Sequence, residues 1–324
     1  MVQQGLHLRR VKIAQAGGGR PGGEGAPAPQ WRGPRVIEPD DLFSLRACAW
    51  PRRPRGQGPV RMIAPEEVPS WIVFEDDRLL VVNKPGDVVC HPSKAGPWSS
   101  LVGALREYAR LPTVHLVFRL DRETSGIVVM AKDARMASRL QIAMQERKVG
   151  KRYAAILTGN LAAPVTVDAP LGDDVSSPVF MKSAVVAPGE GQRAVTHFTP
   201  EARGGGFTLA SIVTETGRKH QIRAHAQWLG HSLVGDKIYG PDARCYLDFI
   251  DHGWTEALAA RLLLPRQALH CAEIDFRPAK LEHVFTAPLA ADLRAFIAAR
   301  NIASVINVPP APPAAPVQTD RPGA

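Results

Sequence analysis

Two short stretches of this chain concentrate residues able to do chemistry. The first, Arg119-Leu120-Asp121-Arg122-Glu123-Thr124-Ser125-Gly126, sets a carboxylate among arginines and ends in a Thr-Ser-Gly turn. An apolar, strand-like run, Ile127-Val128-Val129-Met130, follows at once. An acid held at such a turn, within reach of cations, stays ionised at neutral pH. An ionised carboxylate is what a nucleophile or a general base requires. The plain alternative is a turn aspartate that merely pairs with Arg119 or Arg122. The second stretch, Thr216-Gly217-Arg218-Lys219-His220-Gln221-Ile222-Arg223-Ala224-His225, is dense in arginine, lysine and histidine. Neither His220 nor His225 has a cysteine or carboxylate at ligand spacing, so they read as substrate or core contacts and no metal is expected.

The elements that must position these stretches mix strands and helices. Trp71 to Phe74 and Leu79 to Val82 read as strands about an Asp76-Asp77 turn. Ser99 or Ser100 can cap a helix running to Arg110, and Asp133 a helix with Met136, Leu140 and Met144 on one face. Ile127 to Ala131, Tyr153 to Leu157, Phe207 to Val213 and Gln267 to Phe276 read as strands. Gly217 to Leu229 reads as a helix with Ile222, Ala226 and Leu229 inward. Thr255 can cap a short helix ending near Pro265, and Asp292 to Ala299 closes the pattern. This irregular order predicts an α+β fold rather than a doubly wound sheet.

The chain of 324 residues is 45% hydrophobic and carries a net charge of +9. Most of that charge lies in residues 1–61, which are rich in Gly, Pro and Arg; the remainder is close to neutral. RNA binding must therefore rest on clusters, such as Arg147-Lys148 with Lys151-Arg152 and Arg218-Lys219 with Arg223, and solvated basic patches would look the same. The expected organisation is a disordered N-terminal tail over 1–60, one catalytic domain over 61–300 and a Pro/Ala-rich disordered tail over 301–324. The first tail reads as a basic RNA tether or as sequence preceding a true start at Met62. No apolar run approaches the ~18 residues of a membrane span, and no secretory h-region is seen. The four cysteines form no Cys-x-x-Cys pair, which argues against a zinc site or disulfide framework and fits a cytoplasmic protein. There is no Walker loop and no dinucleotide fingerprint.

Arg119-Leu120-Asp121 with Thr124-Ser125-Gly126 resembles the catalytic motif of the RluA-type pseudouridine synthases. Asn83-Lys84-Pro85 with His91-Pro92 is similar to that family's first motif, and Lys151-Arg152-Tyr153 with Ala155 to its tyrosine segment. Thr216 to His225, then Gly230 and Gly235-Asp236-Lys237-Ile238-Tyr239-Gly240, resembles its third motif. The likeness covers roughly residues 70 to 298, in the family's order. Phe118 stands where the family usually has His, and Gly86-Asp87 where it has Ala-Gly. The likeness implies a mixed, mostly antiparallel central sheet flanked by helices and loops. It implies isomerisation of uridine to pseudouridine, with Asp121 as the catalytic carboxylate. Arg223 would be the partner of Asp121, a rigid guanidinium fork able to hold it bidentately. Tyr153 would stack on the flipped base, its hydroxyl able to join proton transfer. Ile222 would wall the uracil, and Arg119, Arg218, Lys219 and His220 would meet substrate RNA.

The expected enzyme needs no cofactor, metal or nucleotide, because both sides of the reaction are uridine isomers. It acts as a monomer on structured RNA, first large-subunit ribosomal RNA and second tRNA, since no S4-like RNA-binding segment precedes the core. Two other readings stay open: a nucleoside hydrolase or glycosidase, which normally uses two carboxylates, and a non-catalytic RNA-binding or ribosome-assembly protein on the same scaffold.

Overall fold

A computed structural model of the chain describes residues 9–11, 61–91 and 96–304. In chain order the strands are β1 (Arg9–Val11), β2 (Ile72–Glu75), β3 (Leu79–Lys84), β4 (His115–Leu116), β5 (Ser125–Ala131), β6 (Gly150–Thr158) and β7 (Val165–Asp168). They continue with β8 (Leu171–Asp173), β9 (Ser183–Val185), β10 (Val195–Gly204), β11 (Phe207–Thr214), β12 (Leu269–Asp275), β13 (Val284–Thr286) and β14 (Ala303–Ser304). The main sheet runs β1-β7-β10-β11-β6-β12-β5-β3-β2, with β13, β14 and β4 paired at its sides. Among the described residues only β1 with β7 and β12 with β5 are parallel; every other pairing is antiparallel. The α+β class and the mixed, mostly antiparallel sheet are as the sequence implied.

The centre of the sheet explains where the site sits. Ser125–Ala131 is buried along its whole length, as a strand covered on both faces must be. Its junction with β12 is short: His270 pairs Ser125 and Cys271 pairs Gly126. Gly126 has φ +111°, and a Cβ there would lie 2.2 Å from the Cys271 carbonyl oxygen. Only glycine allows the two strands to meet at this seam. The loop carrying Asp121 enters β5 directly above it.

Helices pack where their apolar stripes dictate. Ser100 accepts the Gly103 N–H to cap Leu101–Ala109, and Arg110 ends that helix in the left-handed conformation. Asp133 accepts the Met136 N–H to cap Ala134–Gln145, which buries Met136 and Leu140. Thr255 caps Glu256–Leu262. One expected helix is shorter than its pattern implied. Gly217 to His220 form a turn, and the helix is Gln221–Trp228. The cause is the Gln221 side chain, whose Oε1 accepts both the Arg218 N–H and the Thr216 hydroxyl and so holds the preceding residues in a turn. Arg218 and Lys219 therefore precede the helix instead of opening it.

At the ends, Arg9–Val11 pairs with β7 instead of lying wholly in a tail, covering part of an otherwise open sheet edge. The rest of the expected N-terminal tail lies outside the described residues. The core also runs past residue 300. Ile302 is buried with Leu293 and Phe296, and Ala303–Ser304 pairs with β10.

Candidate active site

Three donors fix the loop that carries Asp121. Lys84, at the end of β3, donates to the Arg122 carbonyl at 3.0 Å. Arg266 donates to the Glu123 carbonyl at 3.0 Å, and the Cys90 thiol donates to the Leu120 carbonyl at 3.4 Å. A buried loop must find donors for its carbonyls, and here they come from both sides of the aspartate. Lys84 is fully buried and also donates to the Pro85 and Val88 carbonyls; burial brings its pKa down to about 8. The Gly86 that departs from the family pattern lies under Arg266. A Cβ there would fall 2.5 Å from the Arg266 Cδ, so glycine lets this side chain cross to the loop. The loop closes through the Thr124 N–H, which donates to the Asp121 carbonyl at 3.1 Å.

Arg223 reaches this aspartate from the Gln221–Trp228 helix. Its Nη1 donates to Asp121 Oδ2 at 3.1 Å. The bidentate grip expected on Asp121 goes elsewhere: Nε and Nη2 donate to the two oxygens of Asp236 at 2.6 and 2.8 Å. Asp236 is fully buried and also accepts the N–H groups of Ile238 and Tyr239. It is thus saturated, and it aims the remaining guanidinium nitrogen, Nη1, at Asp121. The side chain of Asp121, by contrast, is one-third exposed. Burial works to raise the Asp121 pKa, but the charge of Arg223 and its hydrogen bond outweigh it, so the carboxyl lies below its ordinary value. Asp236 is held low against its burial by the same guanidinium. Neither Arg119 nor Arg122 pairs with Asp121: Arg122 reaches the Asp87 carbonyl, and Arg119 is exposed.

Asp121 borders a cavity of about 340 Å³ whose lining includes Phe118, Tyr153, Ile222, Arg223 and Leu269. Tyr153 lies in β6, opposite Ile212 of β11 and Cys271 of β12. Burial, then the neighbouring Cys271 and Asp121, push its phenol well above the usual value. At neutral pH it is protonated, and the raised pKa makes it a weak acid. Ile222 is buried with Ala155, Ile212 and Leu269 and also lines the cavity.

The remaining candidates divide. Arg119, Arg218 and His220 line the cavity; Lys219 does not, and its Nζ lies 3.8 Å from Asp173. Arg218 donates to the Arg193 carbonyl at 3.1 Å. His220 turns inward, with Nε2 3.8 Å from Asp121 Oδ2 and Nδ1 3.0 Å from the Tyr239 hydroxyl. His225 is a core residue, fully buried between Thr196 and the Ala169 carbonyl. Among the described residues no group of three or more His, Cys, Asp or Glu is arranged to hold a metal ion.

Sequence reasoning left out Asp236, Lys84 and Tyr239 as site residues. All three sat inside quoted motifs. The available signal was an acid, Asp236, set between the apolar Val234 and Ile238, a place where a charge needs a partner.

Comparisons with known proteins identify the family. A family described as RNA pseudouridylate synthase matches residues 78–228. The ribosomal large subunit pseudouridine synthase D of Zymomonas mobilis is 36% identical over 220 residues, 65% of this chain and 66% of that protein. The protein of that name from Vibrio vulnificus is 37% identical over 235 residues, 70% of each chain. The solved human RNA pseudouridylate synthase domain containing 4 superposes with a TM-score of 0.60 at 22% identity, over 74% of this chain and 96% of that one, which shows a shared fold. The chain spans about two thirds of the length of these bacterial relatives. It belongs to the RNA pseudouridine synthase family, isomerases that act on uridine in RNA.

Proposed function

We propose that Asp121 is the catalytic carboxylate of a uridine-to-pseudouridine isomerisation on large-subunit ribosomal RNA, with tRNA as the second substrate class. The reaction breaks the C1′–N1 bond, turns the base and forms a C1′–C5 bond, with one proton leaving C5 and one arriving at nitrogen. The target uridine must leave its stack and enter a pocket. The observation that carries the reading is the placement of an ionised carboxylate, anchored by Arg223, beside a cavity that Tyr153 and Ile222 also line. The ring of Tyr153 stacks on the uracil and Ile222 packs against it. Asp121 then either attacks C1′ or removes the 2′ proton, and either role uses its charge.

The hydrolase and glycosidase readings lack a second working carboxylate. Glu123 is tied to Lys237 at 2.6 Å and Asp236 is spent on Arg223. The ribosomal substrate rests on the names of the bacterial relatives. Arg119 and Arg218, at the rim, are the proposed RNA contacts; Lys219, apart from the cavity, meets only phosphate farther along the strand.

The test is pseudouridine mapping of total rRNA and tRNA from cells with the protein, without it, and with Asp121→Asn alone. A large-subunit rRNA site lost in both deficient strains is expected. An unchanged map without the protein, or a map fully restored by Asp121→Asn, rejects the assignment.

A further inference from the structure

The buried contacts around Tyr239 fix a proton position that bears on Asp121. Tyr239 is fully buried. Its hydroxyl oxygen accepts the Ser183 backbone N–H at 2.7 Å. A backbone N–H can only donate, so the phenolic proton remains to be placed. Its neighbours are His220 Nδ1, 3.0 Å away, and the Ser183 side chain. A buried hydroxyl proton without an acceptor is costly, and the imidazole nitrogen, the stronger acceptor of the two, presents its lone pair to it. The imidazole proton then resides on Nε2, the nitrogen 3.8 Å from Asp121 Oδ2.

We infer that His220 is a positioning residue for the isomerisation: Tyr239 locks it as the Nε2–H tautomer, and that N–H joins Arg223 in orienting the catalytic carboxylate. The inference rests on the role proposed above for Asp121. The backbone fits the task. His220 has φ +56° and precedes the Gln221–Trp228 helix without using its side chain as a cap. A left-handed non-glycine residue costs energy and is found where a side chain must be aimed. The imidazole stands edge-on to the Tyr239 ring, at 90° and 5.5 Å, and the Arg223 guanidinium lies over that ring at 4.9 Å. One tyrosine therefore braces both groups that address Asp121.

The groups around His220 are Arg223, Asp121, Asp236, Lys219 and Tyr239. Burial, then the Arg223 charge, hold its pKa at about 4, with Asp121 and Asp236 opposing. Protonating Nδ1 would also set it against the hydroxyl proton of Tyr239. His220 is thus a neutral donor across the physiological range. That neutrality matters, because a second cation beside Asp121 would hold its charge more firmly and weaken it as base or nucleophile. A neutral N–H orients the carboxylate at less cost to its reactivity. Arg223 hydrogen-bonds Oδ2 of Asp121, and His220 Nε2 lies 3.8 Å from the same oxygen.

The test uses the full chain and large-subunit rRNA purified from cells lacking the protein, read as single-turnover pseudouridine formation at saturating enzyme. His220→Ala should slow the rate about ten- to hundredfold, the scale of a misplaced reacting group, with RNA affinity changed less than about threefold. His220→Gln, whose amide N–H can reach the Nε2 position, should recover most of the rate. The wild-type rate should be level from pH 5.5 to 8. Tyr239→Phe, which releases Nδ1 and so frees the tautomer, should lower the rate toward that of His220→Ala. A His220→Ala loss rescued fully by more enzyme would make His220 an RNA contact and overturn the inference. So would a His220→Gln rate as low as that of His220→Ala, or a Tyr239→Phe rate equal to that of wild type. Should a variant fail to fold, the nitrogen-15 spectrum of histidine-labelled wild-type protein decides alone: protonated Nε2 supports the lock and protonated Nδ1 overturns it. Activity retained by Asp121→Asn would instead defeat the underlying reading, whatever His220 does.

Discussion

The sheet has two unlike sides, divided at the β5–β12 seam. On the β2–β5 side the core is almost wholly apolar: Leu79 to Val82 of β3 and Ile127 to Ala131 of β5 pack with Leu101, Leu105 and Leu140 from two helices. Lys84 is the one buried charge among those strands. On the other side, the Gln221–Trp228 helix buries a polar network against β10. Gln221 donates to the Val195 carbonyl and to Thr196, Thr196 contacts His225, and Arg223 holds Asp236. The apolar side supplies Asp121 on its loop, and the polar side supplies the guanidinium that holds it. The difference is that one side rests on apolar packing alone while the other adds a buried, paired polar network to apolar packing, with the site where they meet.

The largest break in that division is expected at Arg223→Ala. It removes the anchor of Asp121 and leaves Asp236 buried without its cation, at a cost of roughly 3–5 kcal/mol. Asp236→Ala should lose stability on the same scale. Asp121→Asn should abolish activity yet unfold close to wild type, since the Arg223–Asp236 pair remains and Asp121 is one-third exposed. Arg218→Ala and Lys219→Ala, on the surface turn, should each stay within about 0.5 kcal/mol. Urea unfolding with single-turnover rates at saturating enzyme separates these cases. Equal losses of rate for all three basic residues would reduce the motif to an electrostatic patch. Equal losses of stability at Asp121 and Asp236 would erase the contrast between the two carboxylates.

A change on the apolar side should show the opposite signature. Leu80 is fully buried in β3, and Leu80→Ala should cost about 2–5 kcal/mol through lost transfer energy and the cavity left behind. Its rate at saturating enzyme, measured well below the unfolding midpoint, should stay within about twofold, since no polar contact of the site is touched. A large loss of rate in a folded Leu80→Ala protein would mean that the two sides are not separable.

The same contrast accounts for what could be read from the sequence. Ile127 to Met130 and Leu79 to Val82 announce strands, because burial on both faces leaves an unbroken apolar run. Capping residues Ser100, Asp133 and Thr255 are legible for a similarly local reason. The helix start at Gln221 was not, because a glutamine side chain reaching back to Arg218 and Thr216 overrides the apolar period of Ile222 and Ala226. Nor was the partner of the Arg223 fork. Asp121 and Asp236 are both plausible acids by type, and only the fold shows which one is fully buried and doubly gripped. Pairings across long sequence separations leave no periodic trace. Asp121, Tyr153 and Arg223 could be gathered in advance only by family likeness.

Acid should expose the polar side next. His220, His225 and His270 each have pKa values lowered to about 4, chiefly by burial. Unfolded histidine titrates near 6.5. Between about pH 4 and 6.5 the unfolded chain therefore binds protons that the folded chain refuses, and stability falls as pH falls through that window. Above it these groups contribute no slope. The depressed Asp121 and Asp236 add their loss only at lower pH, as it drops below the ordinary carboxylate value toward their folded values. Unfolding free energy followed from pH 7.5 to 4.5, with proton uptake measured by calorimetry, should show the slope. A level profile across that range would mean that these histidines are not neutral in the folded protein.

The smallest effect on stability is expected from deleting residues 1–60. Of the described residues, this removes only β1, whose three residues pair with β7 at the sheet edge. The clusters built on β5, β6 and β12 are untouched, so the unfolding midpoint should move little and the rate at saturating enzyme should hold. Affinity for RNA is a different matter. The deleted segment carries most of the chain's excess positive charge, and each phosphate neutralised by such a residue releases counterions on binding. Binding to rRNA should therefore weaken, and its dependence on salt should become shallower, in a titration from low to physiological salt. Unchanged affinity and slope would remove the segment from RNA binding altogether. A large drop in the unfolding midpoint would show that β1 does more than cover an edge, and would place part of the segment within the folded core on the polar side of the seam.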